Sequence, residues 1–122
     1  MACDAQVIPV VLGGAGQVLD VGRARRLFDG PLRRALEVRD AGCAFPGCER
    51  AARYTDAHHI VAWWAGGDTN INNGVLLCVP HHKEVHRGYW QIQMTPQGLP
   101  QFVPPLHVDP LQRPLRNHPA RH

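Results

Sequence analysis

Two pairs of ligand-type residues constrain this chain more than any other feature: Cys43-x4-Cys48 and, 29 residues further on, Cys78-x2-His81. Zinc takes four soft or borderline ligands in a tetrahedron, so two close-spaced pairs can pin two chain segments together. In Cys43-Ala-Phe-Pro-Gly-Cys48, Pro46 and Gly47 turn the chain so that both sulfurs can face one ion, and Cys78-Val-Pro-His81 supplies the second pair. The start, Met1-Ala2-Cys3-Asp4, lacks a basic region followed by an apolar core, so a cytoplasmic protein is expected. There, clustered Cys and His read as metal ligands before they read as disulfides. The plainer alternative, two buried free cysteines and an unrelated surface histidine, leaves the paired spacing unexplained. Cys3 has no close partner and reads as a small apolar residue.

A second constellation overlaps the first. His58-His59 is followed by His82-x3-His86, and five of the eight histidines fall between 58 and 86. Pro80 suits a helix's first turn and Gly88 its end, which predicts a short helix over 80–87. On it His82 and His86 are i and i+4, sharing one face, while His81 is rotated about 100° toward the cysteine pairs. Ala57-His58-His59-Ile60-Val61 reads as a strand, whose adjacent side chains point to opposite faces. One of His58 and His59 can therefore be a third ligand beside His82 and His86, and the other a separate group. Three protein ligands plus an open position suit a catalytic metal, and a free imidazole beside it suits a general base. The Gly- and Asn-rich stretch from Trp63 to Gly74 predicts a long shaped loop leading into Val75-Leu76-Leu77, tied from inside by an Asn amide.

The 122 residues allow one small domain, with 44% hydrophobic and 19% charged residues, a globular balance. No apolar run approaches the roughly 20 residues a membrane span needs, so no membrane is expected among the partners. Net charge is +3, with twelve of the thirteen basic residues Arg, a mild hint of phosphate recognition.

Three regions differ in texture. Residues 1–42 predict a strand pair and a helix: the runs 7–12 and 18–21 flank Gly13–Gly16, which reads as a tight turn. Residues 23–41 read as helical, with Pro31 in the first turn and Gly42 as the cap. The arginines there (Arg23, Arg25, Arg26, Arg33, Arg34 and Arg39) read mostly as a solvated face, with phosphate contact as the alternative. Residues 43–95 hold the core. Seven of the eleven prolines lie between Pro96 and Pro119, predicting a weakly ordered tail over 96–122 with His107, His118 and His122 as bystanders.

The string DAHHI-x3-W-x-GG-x5-N-x-VLLC-x2-HH-x3-H resembles the HNH endonuclease family, in its zinc-knuckle branch, over about residues 39–92. The resemblance implies an α+β fold: a small ββα-metal (His-Asn-His) nuclease core stapled by a structural zinc knuckle, preceded by a short β-hairpin and helix. It implies His59 as general base and Asn73 as the central Asn, with Asn70 and Asn72 nearby in sequence. Metal ligands would be His58, His82 and His86, with Cys43, Cys48, Cys78 and His81 as the structural zinc set. Histidine stands at 58 where the family often has Asp, a softer donor that widens the metal from Mg²⁺ to Mn²⁺, Ni²⁺ or Zn²⁺. The upstream segment also resembles what precedes the core in one bacterial subgroup, where a longer helical region comes first, so the chain could be a piece of a longer protein.

The implied activity is metal-dependent hydrolysis of DNA, or RNA, leaving 5′-phosphate and 3′-hydroxyl ends. Asp56 reads either as support for an imidazole or as a surface turn residue. Arg53 and Arg87 flank the motif as candidate phosphate contacts, and Trp63 and Trp64 read as loop or core packing. The competing reading is a zinc-stabilised nucleic-acid-binding module without catalysis. A third is a nuclease toxin fragment with an inhibitor partner. Oligomeric state is not readable.

Overall fold

A computed structural model describes residues 20–87 and 89–117. The run 7–12, the turn 13–16, Cys3, Gly88, His118 and His122 lie outside them. Strand β1 (Asp20–Gly22) is followed by helix α1 (Gly30–Asp40), β2 (Thr55–His59), β3 (Thr69–Asn70), β4 (Gly74–Cys78), helix α2 (Val79–His86), β5 (Gln91–Met94) and β6 (Pro100–Val103). Single 3₁₀ turns stand at Ala52–Tyr54, Trp63–Ala65 and Ile71–Asn73. The strands form three antiparallel pairs, β1 with β3, β2 with β4 and β5 with β6, giving a small α+β architecture.

α1 is shorter than the 23–41 expected. Gly30 adopts a left-handed φ of 55° and Pro31 occupies the first turn, so the helix cannot extend back through residues 23–29. Its end also differs. Ala41, not Gly42, takes the left-handed cap (φ 60°), its N–H donating to Glu37 O at 2.9 Å. Three of the arginines are not on the helix at all. Arg39, on it, is mostly buried: it forms a bidentate pair with Asp40 (2.7 and 3.0 Å) and donates to Ile71 O and Gly74 O, both 2.7 Å. Asp40 in turn accepts the Leu76 N–H at 3.1 Å, so this pair fastens α1 to β4.

β4 is buried throughout, because both faces of the β2–β4 hairpin are covered. Leu76 packs with Phe28, Leu32 and Leu36 on the α1 side. Val75 and Leu77 pack on the opposite side with Cys43, Phe45, Cys48, Cys78 and Phe102. The period-2 alternation of strand side chains thus divides one strand between two cores.

The segment read as a weakly ordered tail is different over its described part, 96–117. Pro100 stands at the first residue of β6, where a missing N–H is tolerated. Phe102 is fully buried and exchanges backbone hydrogen bonds with Leu115 (2.7 and 2.8 Å). Asn117 donates to Cys43 O and Cys48 O, both at 2.8 Å, and accepts the Gly47 N–H at 3.1 Å. The prolines punctuate a packed hairpin and closing loop that cover the cysteine turn. Among the described residues His107 makes only an edge contact with Tyr89, apart from both histidine groups.

Candidate functional site

The turn between Cys43 and Cys48 is built by Gly47 at φ 83° and by the Cys48 N–H donating to Phe45 O at 3.0 Å. It brings both thiols against Cys78, at the end of β4, and His81, in the first turn of α2. The four donor atoms lie within 4.8 Å of one another. Cys48 Sγ is 4.0 Å from Cys78 Sγ, and His81 Nδ1 is 3.3 and 3.6 Å from the sulfurs of Cys78 and Cys43. A zinc tetrahedron with Zn–S near 2.3 Å has S–S edges of about 3.8 Å, so these spacings fit the ion. Burial pushes the Cys43 thiol up to about 12, so its thiolate requires a cation beside it. Phe45 stacks on the His81 ring (4.2 Å between centroids, 11° between planes) and fixes its orientation. This cluster could hold a metal such as zinc.

The next residue along α2 belongs to a different group. His82 and His86 share a helix face, and His58 reaches them from β2. His82 Nε2 is 3.1 Å from His58 Nδ1 and 3.0 Å from His86 Nε2. A ring nitrogen carries either one hydrogen or one lone pair, aimed in one direction, so it cannot complete a linear hydrogen bond to both. Three lone pairs converging on a cation resolve that conflict, since the edges of a Zn–N tetrahedron are about 3.3 Å. Burial first, then the neighbouring His82 and His86, push His58 down to about 4. Burial and His86 also lower His82. Both are therefore neutral at pH 7, the form a metal requires. Asp56 shares the β2 face of His58 and its charge favours the protonated form of His82, but among the described residues no hydrogen bond joins it to an imidazole.

His59 faces the other side of the hairpin. Its Cα partner in β4 is Gly74, where an added Cβ would sit 2.5 Å from the Phe28 ring. Glycine there makes room for Phe28, which packs on the His59 imidazole with centroids 4.6 Å apart. His59 Nε2 lies 2.9 Å from Thr69 Oγ1, and Thr69 Oγ1 donates to Arg26 O at 3.1 Å. The threonine has one hydrogen and spends it on the carbonyl, so it accepts from His59 Nε2–H. That fixes the tautomer and leaves Nδ1 with its lone pair. Burial, Arg26 and Arg23 hold His59 below the usual histidine range.

Asn73 braces the loop that follows. Its Oδ1 accepts the Val61 N–H (2.8 Å), and its Nδ2 donates to Val61 O (3.1 Å) and Asp68 O (2.7 Å). Its backbone O accepts the Ile60 N–H at 2.9 Å. Asn70 and Asn72 instead bond to each other across a turn.

All four histidines, His58, His59, His82 and His86, line one cleft of about 380 Å³ together with Arg26, Leu27, Phe28 and both tryptophans. Arg53 and Arg87 are not among its walls; the Arg53 guanidinium lies over Tyr54 instead. Trp63 packs as expected, with Arg23 stacked at 3.7 Å on its ring. Trp64 does not: it is 86% exposed. Sequence spacing could not reveal Thr69, Phe28 or Arg26: Thr69 sits at an unspecified position of the motif, and Phe28 and Arg26 reach His59 through tertiary contact from upstream of it.

Residues 42–88 match the HNH endonuclease family model, which places that segment in the HNH family. The match spans both ligand clusters, His59 and Asn73. Uncharacterized protein Rv1945 of Mycobacterium tuberculosis strain H37Rv is 31% identical over 109 residues, covering 89% of this chain and 24% of the relative. Uncharacterized protein Mb1179c of Mycobacterium bovis is 31% identical over 123 residues, covering 99% of this chain and 27% of the relative. The chain thus spans about a quarter of the length of these curated relatives. No solved structure matches it significantly. No helix among the described residues is long and apolar enough to cross a membrane.

Proposed function

We propose that the chain is a metal-dependent endonuclease that hydrolyses DNA phosphodiester bonds, with a ββα-metal site built from β2, β4 and α2. The observation that carries this reading is the convergence of His58 Nδ1, His82 Nε2 and His86 Nε2 in the cleft that His59 also lines. A divalent ion held by those three residues, Mg²⁺, Mn²⁺, Ni²⁺ or Zn²⁺, supplies an electrostatic sink for charge that grows on the phosphate and leaving oxygen.

The chain's own residues do the rest. His59 is neutral at pH 7 and carries its lone pair on Nδ1, so it takes a proton from the attacking water. The water oxygen bonds to phosphorus, the bond from phosphorus to the 3′-oxygen breaks, and the departing oxygen takes a proton from solvent. The products are a 5′-phosphate and a 3′-hydroxyl. Thr69 and Phe28 hold the His59 ring, and Asn73 holds the loop beyond it. Cys43, Cys48, Cys78 and His81 bind a structural zinc that fastens the hairpin to α2.

The test is plasmid nicking with Mg²⁺, Mn²⁺, Ni²⁺ or Zn²⁺ against a chelated control, with His59→Ala alongside. Metal-dependent nicking by the wild type, lost in the variant, is expected. A folded, zinc-containing protein that nicks with none of the four ions would instead be a binding module.

A further inference from the structure

Trp64 is the most exposed large hydrophobic residue among those described, and its turn is firmly held. Ala65 and Gly67 both donate backbone N–H groups to Ala62 O at 2.9 Å, and Gly66 closes the turn at φ 94°. Arg23 donates to Trp63 O and Gly67 O, both at 2.8 Å. A Cβ at Gly67 would sit 1.8 Å from Val61 O, so backbone packs directly on backbone beneath the turn. The indole's exposure is therefore imposed by a fixed base.

Its surroundings identify an occupant. On the same cleft lie Leu27, 70% exposed, and Arg26, whose side chain has no hydrogen bond or ion pair among the described residues. A flat apolar platform, an unpaired guanidinium and four clustered imidazoles line one opening. A nucleotide alternates an anionic phosphate with a flat apolar base, and so offers a partner to both features. A duplex hides its base faces in the stack, so only an unpaired base can lie on an indole. A single tryptophan and leucine make too small an apolar patch for a stable protein interface.

We propose that Trp64 is a stacking platform for an unpaired DNA base next to the cleaved phosphate, with Arg26 gripping a neighbouring phosphate. The proposal rests on the endonuclease reading for which phosphate is cut, and it makes single-stranded or frayed DNA the preferred substrate.

Two readouts on the full chain keep the two ideas separable. In the first, Trp64→Ala and Trp64→Phe are compared with wild type in cleavage of a thymidine oligonucleotide about 12 residues long and of a duplex of equal length. Trp64→Ala should raise KM for the single strand roughly 5- to 100-fold, erase its advantage over the duplex, and leave the melting curve unchanged. Trp64→Phe should recover part of the loss. In the second, the same oligonucleotide is titrated into His59→Ala, where it stays uncut, and indole emission is followed. Quenching should occur, and should vanish when Trp64→Ala is added.

Normal cleavage with KM and strand preference unmoved by Trp64→Ala would overturn the platform and leave the nuclease standing. Trp64-dependent quenching by a wild type that cuts nothing would support the platform and remove the nuclease. Emission that ignores the oligonucleotide, in a protein that sediments as a dimer, would overturn the platform in favour of a second copy of the chain.

Discussion

The two ligand clusters draw on the same hairpin and the same helix, yet one is closed and the other open. Cys43, Cys48, Cys78 and His81 form a complete set of four donors, capped by Phe45 and by the Asn117 loop. His58, His82 and His86 form a set of three lining a cleft, which His59 also lines from the other face of the hairpin while bonded to another partner. One residue step along α2, about 100° of rotation, separates a ligand-type histidine of the first cluster from one of the second. A saturated, buried tetrahedron is suited to stability, and an incomplete one with a neighbouring base is suited to chemistry. Perturbing one cluster should therefore affect folding, and perturbing the other should affect turnover.

The largest separation is expected from Cys48→Ala. Zinc binding in small metal-stapled domains contributes on the order of 10 kcal/mol to folding, so this variant should lose its cooperative melting transition. An unchanged melting curve would show that the cysteine cluster holds no structural ion. His59→Ala acts on the other side: cleavage should fall by roughly 100- to 10,000-fold with the melting temperature unmoved.

Much of this division was legible in the sequence, because metal ligands obey short spacings. Cys43-x4-Cys48, Cys78-x2-His81 and His82-x3-His86 each put their donors within one turn of chain. What was illegible is non-local. The bridge from buried Phe102 to Leu115 joins residues thirteen apart inside a proline-rich stretch whose composition alone reads as loose. Arg39 looked like one more surface cation, since its partners Ile71 and Gly74 lie beyond 30 residues away. Trp64 could not be told from Trp63 by type, because only the turn geometry sends one ring inward and the other out. The helix start failed for a local reason that was present in the chain: Gly30-Pro31 stops a helix from running backward.

Arg39→Ala tests whether stability depends on more than the cysteine cluster. Removing one partner of the buried pair leaves Asp40 uncompensated against β4, which should cost about 3 kcal/mol by denaturant titration. Metal content should remain as in wild type. A smaller effect is expected at Gly74→Ala, whose methyl group would displace Phe28 and with it the His59 ring. Overpacking of this kind costs about 1–3 kcal/mol, and here the loss in cleavage should exceed what the melting shift alone explains. Full activity in that variant would mean that Phe28 does not position the base.

The most direct test is calorimetric titration of metal-stripped wild type and His82→Ala with Zn²⁺, each sample then assayed for nicking. Two binding events in the wild type, of which His82→Ala removes only the weaker along with cleavage, are expected. A single event in the wild type, or nicking that survives His82→Ala, would contradict the division of the histidines between two ions.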